Sequence, residues 1–148
     1  MPGIPVQEAR RLLGSVRVVR VATVDGEGRP HLVVATFAVE GDRIHMAVDH
    51  KPKRSRELKR VRNIRGNPRV SVLADHYEED WGRLWWVRAD GEARVVEEPG
   101  ELGRSVDLLV ERYPQYRGRR PEGPAIVVEV RRWVGWIYGG EDGRPAAG

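Results

Sequence analysis

The chain of 148 residues has no cysteine, one phenylalanine and two methionines. Without cysteine there can be no disulfide, zinc-thiolate site, iron–sulfur cluster or thiol nucleophile, so its chemistry must come from oxygen and nitrogen groups or from a borrowed cofactor. No apolar run approaches the roughly 20 residues of a membrane-spanning helix. Residues 1–5, Met-Pro-Gly-Ile-Pro, lack the charged-then-apolar pattern of an export signal, and the expectation is a cytoplasmic protein without a membrane partner. With hydrophobic residues at 40% and charged residues at 32%, the composition is that of a chain that folds. Its length suits one domain over residues 1–148, with 141–148 as a loose tail.

Further absences narrow the chemistry. The four histidines, at positions 31, 45, 50 and 76, form no His-x-His or His-x3-His pair, and no metal is expected. Ser15, Ser55, Ser71 and Ser105 lack the small-residue elbow that exposes a nucleophile. Gly26-Glu27-Gly28 lies between two strand-like segments and reads as a hairpin turn rather than a phosphate cradle. Glu78, Glu79 and Asp80 read as a solvated turn, with nothing nearby to raise a carboxyl pKa. No catalytic residue stands out.

What the sequence does contain is one concentration of positive charge. Between Lys51 and Arg65 there are eight basic residues and one acid, Glu57, a local charge of +7. The whole chain is +4, so the rest is −3 (4 − 7), and the basic segment implies a local anionic partner. His50-Lys51-Pro52-Lys53-Arg54-Ser55 leaves a strand and enters a helix, where peptide N–H groups and ammonium groups can share one phosphate or carboxylate. Arg60, one turn further, can add a bidentate contact. A solvated basic face reads equally well. A nucleic-acid footprint is opposed by the acidity of the remaining chain.

The periodicity is mainly that of strands. Residues 6–13 suggest a short helix. Val16–Val24, His31–Val39 and Arg43–Asp49 read as a three-strand meander joined by the turns Asp25-Gly26-Glu27-Gly28 and Glu40-Gly41-Asp42. Residues 56–65 read as a basic helix, with Ser55 as its N-cap, Leu58, Val61 and Ile64 as its stripe and Gly66-Asn67-Pro68 as its stop. Strands Arg69–Asp75 and Leu84–Val96 follow, the latter with a bulge at Asp90-Gly91. Leu102, Val106, Leu109, Val110 and Tyr113 mark an amphipathic helix, residues 114–124 a loop, and Ala125–Tyr138 the last strand. Six antiparallel strands with peripheral helices make a barrel most economically.

Trp81, Trp85, Trp86, Trp133 and Trp136 are too many indoles for this core. Adjacent Trp85 and Trp86 must face opposite sides of their strand, so one needs a partner subunit or a flat ring to cover it.

In this order of elements, with ATVDGEGRPHLVVATFAVEGDRIHMAVD, then RVRNIRGNPRVSVL and WVRADGEARVV, the chain resembles the pyridoxamine 5'-phosphate oxidase-like split β-barrel family. It looks most like that family's flavin/deazaflavin oxidoreductase B branch. The likeness spans roughly residues 7–138, with Asn63 to Ser71 its most specific part. It implies a mainly β fold, a six-stranded antiparallel split β-barrel, and a homodimer with cofactor sites at the subunit interface. The implied activity is hydride transfer between coenzyme F420, or alternatively FMN, and a small organic substrate. A protein that only binds the cofactor is a further alternative. Carried over by position, the ring contacts of the resemblance fall on Val33, Val34, Ala35 and Thr36, then on Ala47 and Val48. Its phosphate-binding base falls on Arg60, with Lys51 and Lys53 toward an anionic tail, and its partner-subunit contacts fall on Trp85 and Trp86.

Overall fold

The computed structural model describes residues 3–48 and 58–139. Its elements in chain order are α1 (Val6–Ser15), β1 (Val19–Val24), β2 (Pro30–Ala35), β3 (Ala38–Glu40), β4 (Arg43–Ala47), α2 (Lys59–Gly66), β5 (Arg69–His76), β6 (Trp85–Val96), α3 (Pro99–Arg112) and β7 (Ala125–Ile137). The strands form one antiparallel seven-stranded sheet in the order β2-β1-β5-β6-β7-β4-β3.

Seven strands rather than six arise because the segment His31–Val39 breaks at Thr36 and Phe37. Its first part pairs with β1 and its second with β4, at opposite edges of the sheet, so the expected three-strand meander does not form. The break also dictates the overall shape. In a flat sheet, six strand spacings of about 4.8 Å would hold β2 and β3 about 29 Å apart. Only two residues connect them, and three Cα steps of about 3.8 Å reach no more than about 11 Å. The sheet must therefore roll until its edges meet, giving the half-barrel of a split barrel with its seam at Thr36–Phe37.

The rolled interior is aliphatic. Val19, Val21, Ile44, Met46, Val72, Val87, Ile126 and Val128 fill it, together with Phe37 at the seam and Ala9, Leu12 and Leu13 from α1. Alternation along β4 sends Ile44 and Met46 inward and Ala47 to the other side, where it meets Ala38, Leu109 and Tyr113 beneath α3. The bulge expected in β6 is present as a register shift between Asp90 and Gly91. A Cβ on Gly91 would lie 2.2 Å from the Glu129 carbonyl oxygen, so the strands close up there only around glycine.

The basic helix is shorter than its periodicity suggests. Leu58 is extended (φ −61°, ψ 148°) and α2 starts at Lys59 without a side-chain cap, while the expected cap Ser55 lies outside the described residues. Its end is as expected: Pro68 holds Asn67 extended, and the Asn67 N–H still closes the last turn on the Asn63 carbonyl. The loop 114–124 begins with a 3-10 turn over Pro114–Tyr116. Among the described residues no helix is long and apolar enough to cross a membrane.

Candidate functional site

The seam opens into a cleft of about 210 Å³ lined by Val18, Val34, Ala35, Thr36, Ala47, Arg60 and Tyr116. The end of β2 and the residue after it bring Val34, Ala35 and Thr36, the end of β4 brings Ala47, the second residue of α2 brings Arg60, and Val18 before β1 and Tyr116 of the 3-10 turn complete the lining. As an edge strand, β2 turns alternate backbone N–H and C=O groups away from the sheet, toward whatever lies beside it. Val18, Val34, Ala35 and Ala47 give the cleft an apolar part, joined by the Arg60 guanidinium, whose Nε is buried, and by two hydroxyls, Thr36 Oγ1 and Tyr116 Oη, 2.7 Å apart.

Packing on both sides holds this arrangement. Asn63 and Thr23 are buried, and the Asn63 amide donates to Thr23 Oγ1 at 3.0 Å, fastening α2 to β1 and Arg60 with it. On the opposite side α3 grips the break itself. The Phe37 N–H donates to the Tyr113 hydroxyl at 3.1 Å, and that hydroxyl lies 2.9 Å from the carbonyls of Phe37 and Arg17, between which it shares its one proton. Arg112 stacks over Phe37, its guanidinium carbon 4.4 Å from the ring centroid, and donates to the Val16 carbonyl.

Behind the cleft, α3 is anchored on the β3–β4 hairpin by a buried polar chain. His45, 3% exposed, places Nδ1 2.8 Å from Ser105 Oγ and Nε2 3.2 Å from Glu40 Oε1. Burial lowers the His45 pKa below the ordinary histidine value, and its hydrogen bond to the Glu40 carboxylate only partly offsets this. The Arg104 guanidinium holds the Glu40 carboxyl below the usual carboxylate range. A neutral imidazole protonated at Nε2 satisfies both contacts, with Ser105 donating to Nδ1. Serine, histidine and glutamate in a row suggest a nucleophile, but Ser105 is fully buried, and their bonds fasten α3 to the hairpin.

Of the residues singled out in the sequence, Val34, Ala35, Thr36, Ala47 and Arg60 meet in this one cleft. Val33 points inward against the core, and Val48 is buried, its N–H on the Pro124 carbonyl at 2.9 Å. Trp85 and Trp86 line a different cleft of about 500 Å³ with Leu73, Tyr77, Leu84 and Arg88; Trp85 packs on the main core and Trp86 does not. Lys51 and Lys53 lie outside the described residues. Part of the basic segment meets acids from elsewhere in the fold, Lys59 with Asp25 at 3.8 Å and Arg65 with Glu97 at 2.7 Å. Tyr116 and Val18 are the lining residues that sequence reading missed. Tyr116 stands in a segment rich in proline, glycine and arginine that carries no periodic signal, and only the 3-10 turn aims it at Thr36. Among the described residues no group of three or more histidines and acids converges as a metal site.

Comparison with known proteins agrees with this geometry. A conserved hypothetical protein of Mycobacterium tuberculosis, Rv2991, is 26% identical and superposes with a TM-score of 0.72 over 90% of this chain and 85% of its own. An FAD-binding protein of Mesorhizobium loti is 19% identical, with a TM-score of 0.68 over 90% of this chain and 93% of its own. HutZ, the heme storage protein of Vibrio cholerae, is 20% identical, with a TM-score of 0.63 over 86% of this chain and 89% of its own. At such low identity the last two speak for the fold. No curated protein matches. The family model described as pyridoxamine 5'-phosphate oxidase matches residues 5–137, nearly the whole rolled sheet with its seam cleft, and the chain belongs to that family.

Proposed function

We propose that the chain is an oxidoreductase that holds coenzyme F420 in the seam cleft and works as a homodimer, the second copy closing the site. The observation that carries this reading is the convergence of Val34, Ala35, Thr36, Ala47 and Arg60, which are scattered along the sequence, on one cleft. The groups suit a flat ring with an anionic tail. The apolar part offers a stacking surface, the edge of β2 offers backbone hydrogen bonds, the hydroxyl pair meets a polar ring edge, and Arg60 meets a phosphate. When bound, the deazaflavin supplies the hydride chemistry, and the protein supplies position and electrostatics. The buried Asn63–Thr23 bond keeps Arg60 in place. Lys51 and Lys53 belong to this reading as contacts to the tail, and Trp85 and Trp86 as contacts from the second copy.

FMN is the second reading, favoured by the likeness to the FAD-binding protein, and it would use the same groups. Equilibrium titration of the purified protein with F420, FMN and FAD separates the two readings. Tight F420 binding with weak flavin binding is expected, and the reverse order replaces the coenzyme with a true flavin. Turnover of the reduced coenzyme with quinone and enone acceptors then distinguishes an oxidoreductase from a protein that only binds or stores its ligand.

A further inference from the structure

We propose that the cleft beside Trp85 and Trp86 is a second binding site, separate from the seam cleft, for an uncharged, flat molecule of fused rings. The inference goes beyond the proposed function and holds whichever coenzyme the seam cleft takes.

The cleft opens where β5 ends and β6 begins, with His76 opposite Trp85 and Asp75 opposite Trp86. Its volume of about 500 Å³ falls within the range of roughly 300–1,000 Å³ that small-molecule sites occupy. Leu73, Leu84, Tyr77 and the two indoles form its apolar lining, and it shares no lining residue with the seam cleft. Trp85 is held by packing on the main core. Trp86 stands opposite Trp136 in the β6–β7 register, and Trp136 in turn meets Tyr138 edge-on, the centroids 6.2 Å apart. Indoles fixed in this way offer a large apolar surface for an aromatic ring, stacked or edge-on, with little side-chain freedom left to lose on binding.

The charge pattern decides the class of ligand. Asp75, His76 and Arg88 also line the cleft, and each already has a partner within the fold. Asp75 accepts from Arg20 at 2.9 Å, and Arg88 donates to Asp90 at 2.8 Å. His76 bonds the Glu78 carboxylate, which also lies 3.6 Å from Arg83. An ionic ligand would have to displace one of these partners or give up water without compensation. An uncharged flat molecule has no such cost and gains the apolar contact.

A partner chain fits this place less well. At Trp85 and Trp86 strand β6 is paired on both sides, with β5 and with β7, so it has no free backbone edge for another strand to extend. Recognition there works through side-chain faces, and a rigid ring system uses those best.

The test uses three probes that share one ring system: 2-naphthol, which is uncharged at neutral pH, 2-naphthalenesulfonate and 2-naphthylmethylammonium. Equilibrium dialysis against the purified full-length protein should show naphthol binding at least about tenfold tighter than either ion. Trp86→Ala should weaken naphthol binding by roughly tenfold, whereas Trp81→Ala, at an exposed indole outside the cleft lining, should leave it unchanged. Freeing a charge should change the preference in a predictable direction. Arg20→Ala leaves Asp75 without its guanidinium and should raise the affinity for the ammonium probe, and Asp90→Asn does the same for Arg88 and the sulfonate. Saturation with FMN should leave naphthol binding intact.

Equal affinity for the three probes, or Arg20→Ala and Asp90→Asn variants that keep the wild-type preference, overturns the assignment of ligand class. Displacement of naphthol by FMN would give the indoles to the ring of the seam cleft and overturn the separate site while supporting the ring-binding reading. A wild-type protein that binds no naphthol, and whose Trp86→Ala variant changes from dimer to monomer in sedimentation, would show that a second copy fills the cleft.

Discussion

Two side chains show how residue identity becomes function only in context. Arg60 is one of eight bases in a short stretch; its neighbours Lys59 and Arg65 pair with Asp25 and Glu97, and Arg60 lines the cleft. Arg60→Ala should weaken binding of a phosphorylated ring by about 1–3 kcal/mol, the range for a charge-assisted contact that is partly buried. Calorimetric titration checks this, and an unchanged affinity would remove Arg60 from the site. His45 carries a pH dependence instead. Its pKa is lowered by burial from the ordinary 6.5, so above that value it is neutral in both states and contributes no pH dependence. As the pH falls through 6.5 the unfolded chain binds a proton first, and stability declines until the lower folded value is reached. Thermal melts should therefore show a Tm that falls as the pH drops through 6.5, and a shallower fall in His45→Gln. Equal slopes would mean that His45 is not the group responsible. The Glu40 contribution lies in a separate window: its lowered pKa gives stability that is present above the usual 4.5 and lost as pH falls below it.

At the scale of elements, turn chemistry and strand alternation placed most boundaries correctly, as at the Asp90-Gly91 bulge and the Gly66-Asn67-Pro68 stop. The error in strand count has a non-local cause. Nothing local in His31–Val39 signals a break, because every residue there is compatible with a strand, and the interruption at Thr36–Phe37 is enforced by Tyr113 from α3, 76 residues away. Asn63, a polar residue in a basic helix, is buried against Thr23, another contact that no local pattern records. The bulge offers the sharper test. Gly91→Ala would press a methyl group against the Glu129 carbonyl, and it should destabilise the fold by about 1–3 kcal/mol as the β6–β7 ribbon is forced apart. Denaturant unfolding measures this, and a neutral substitution would show that the ribbon can open without cost.

At the scale of the molecule, the rolled sheet leaves apolar side chains on its outer surface. Leu32 is 67% exposed and Leu73 is 38% exposed, on strands β2 and β5 that β1 joins. Together with Trp86 beside Leu73, this is more apolar surface than solvent favours, in keeping with the proposed homodimer. Sedimentation equilibrium should give twice the chain mass of 16.8 kDa, and Leu32→Asp with Leu73→Asp should shift it to the monomer and weaken cofactor binding in parallel. Monomeric wild type would leave Trp85 and Trp86 without a place in the site.

The sequence by itself determined the strands, their turns, the bulge and the position of the basic helix, because alternation, glycine and proline act within a few residues. It also carried the family resemblance, and through it the β2, β4 and α2 positions that meet in the cleft. Only the tertiary structure decided that one strand becomes two, that the sheet rolls to join its edges, and that Tyr116 meets Thr36. Each of these depends on contacts between residues far apart in the chain, and closing the seam over a two-residue connection is a geometric demand that no local pattern records.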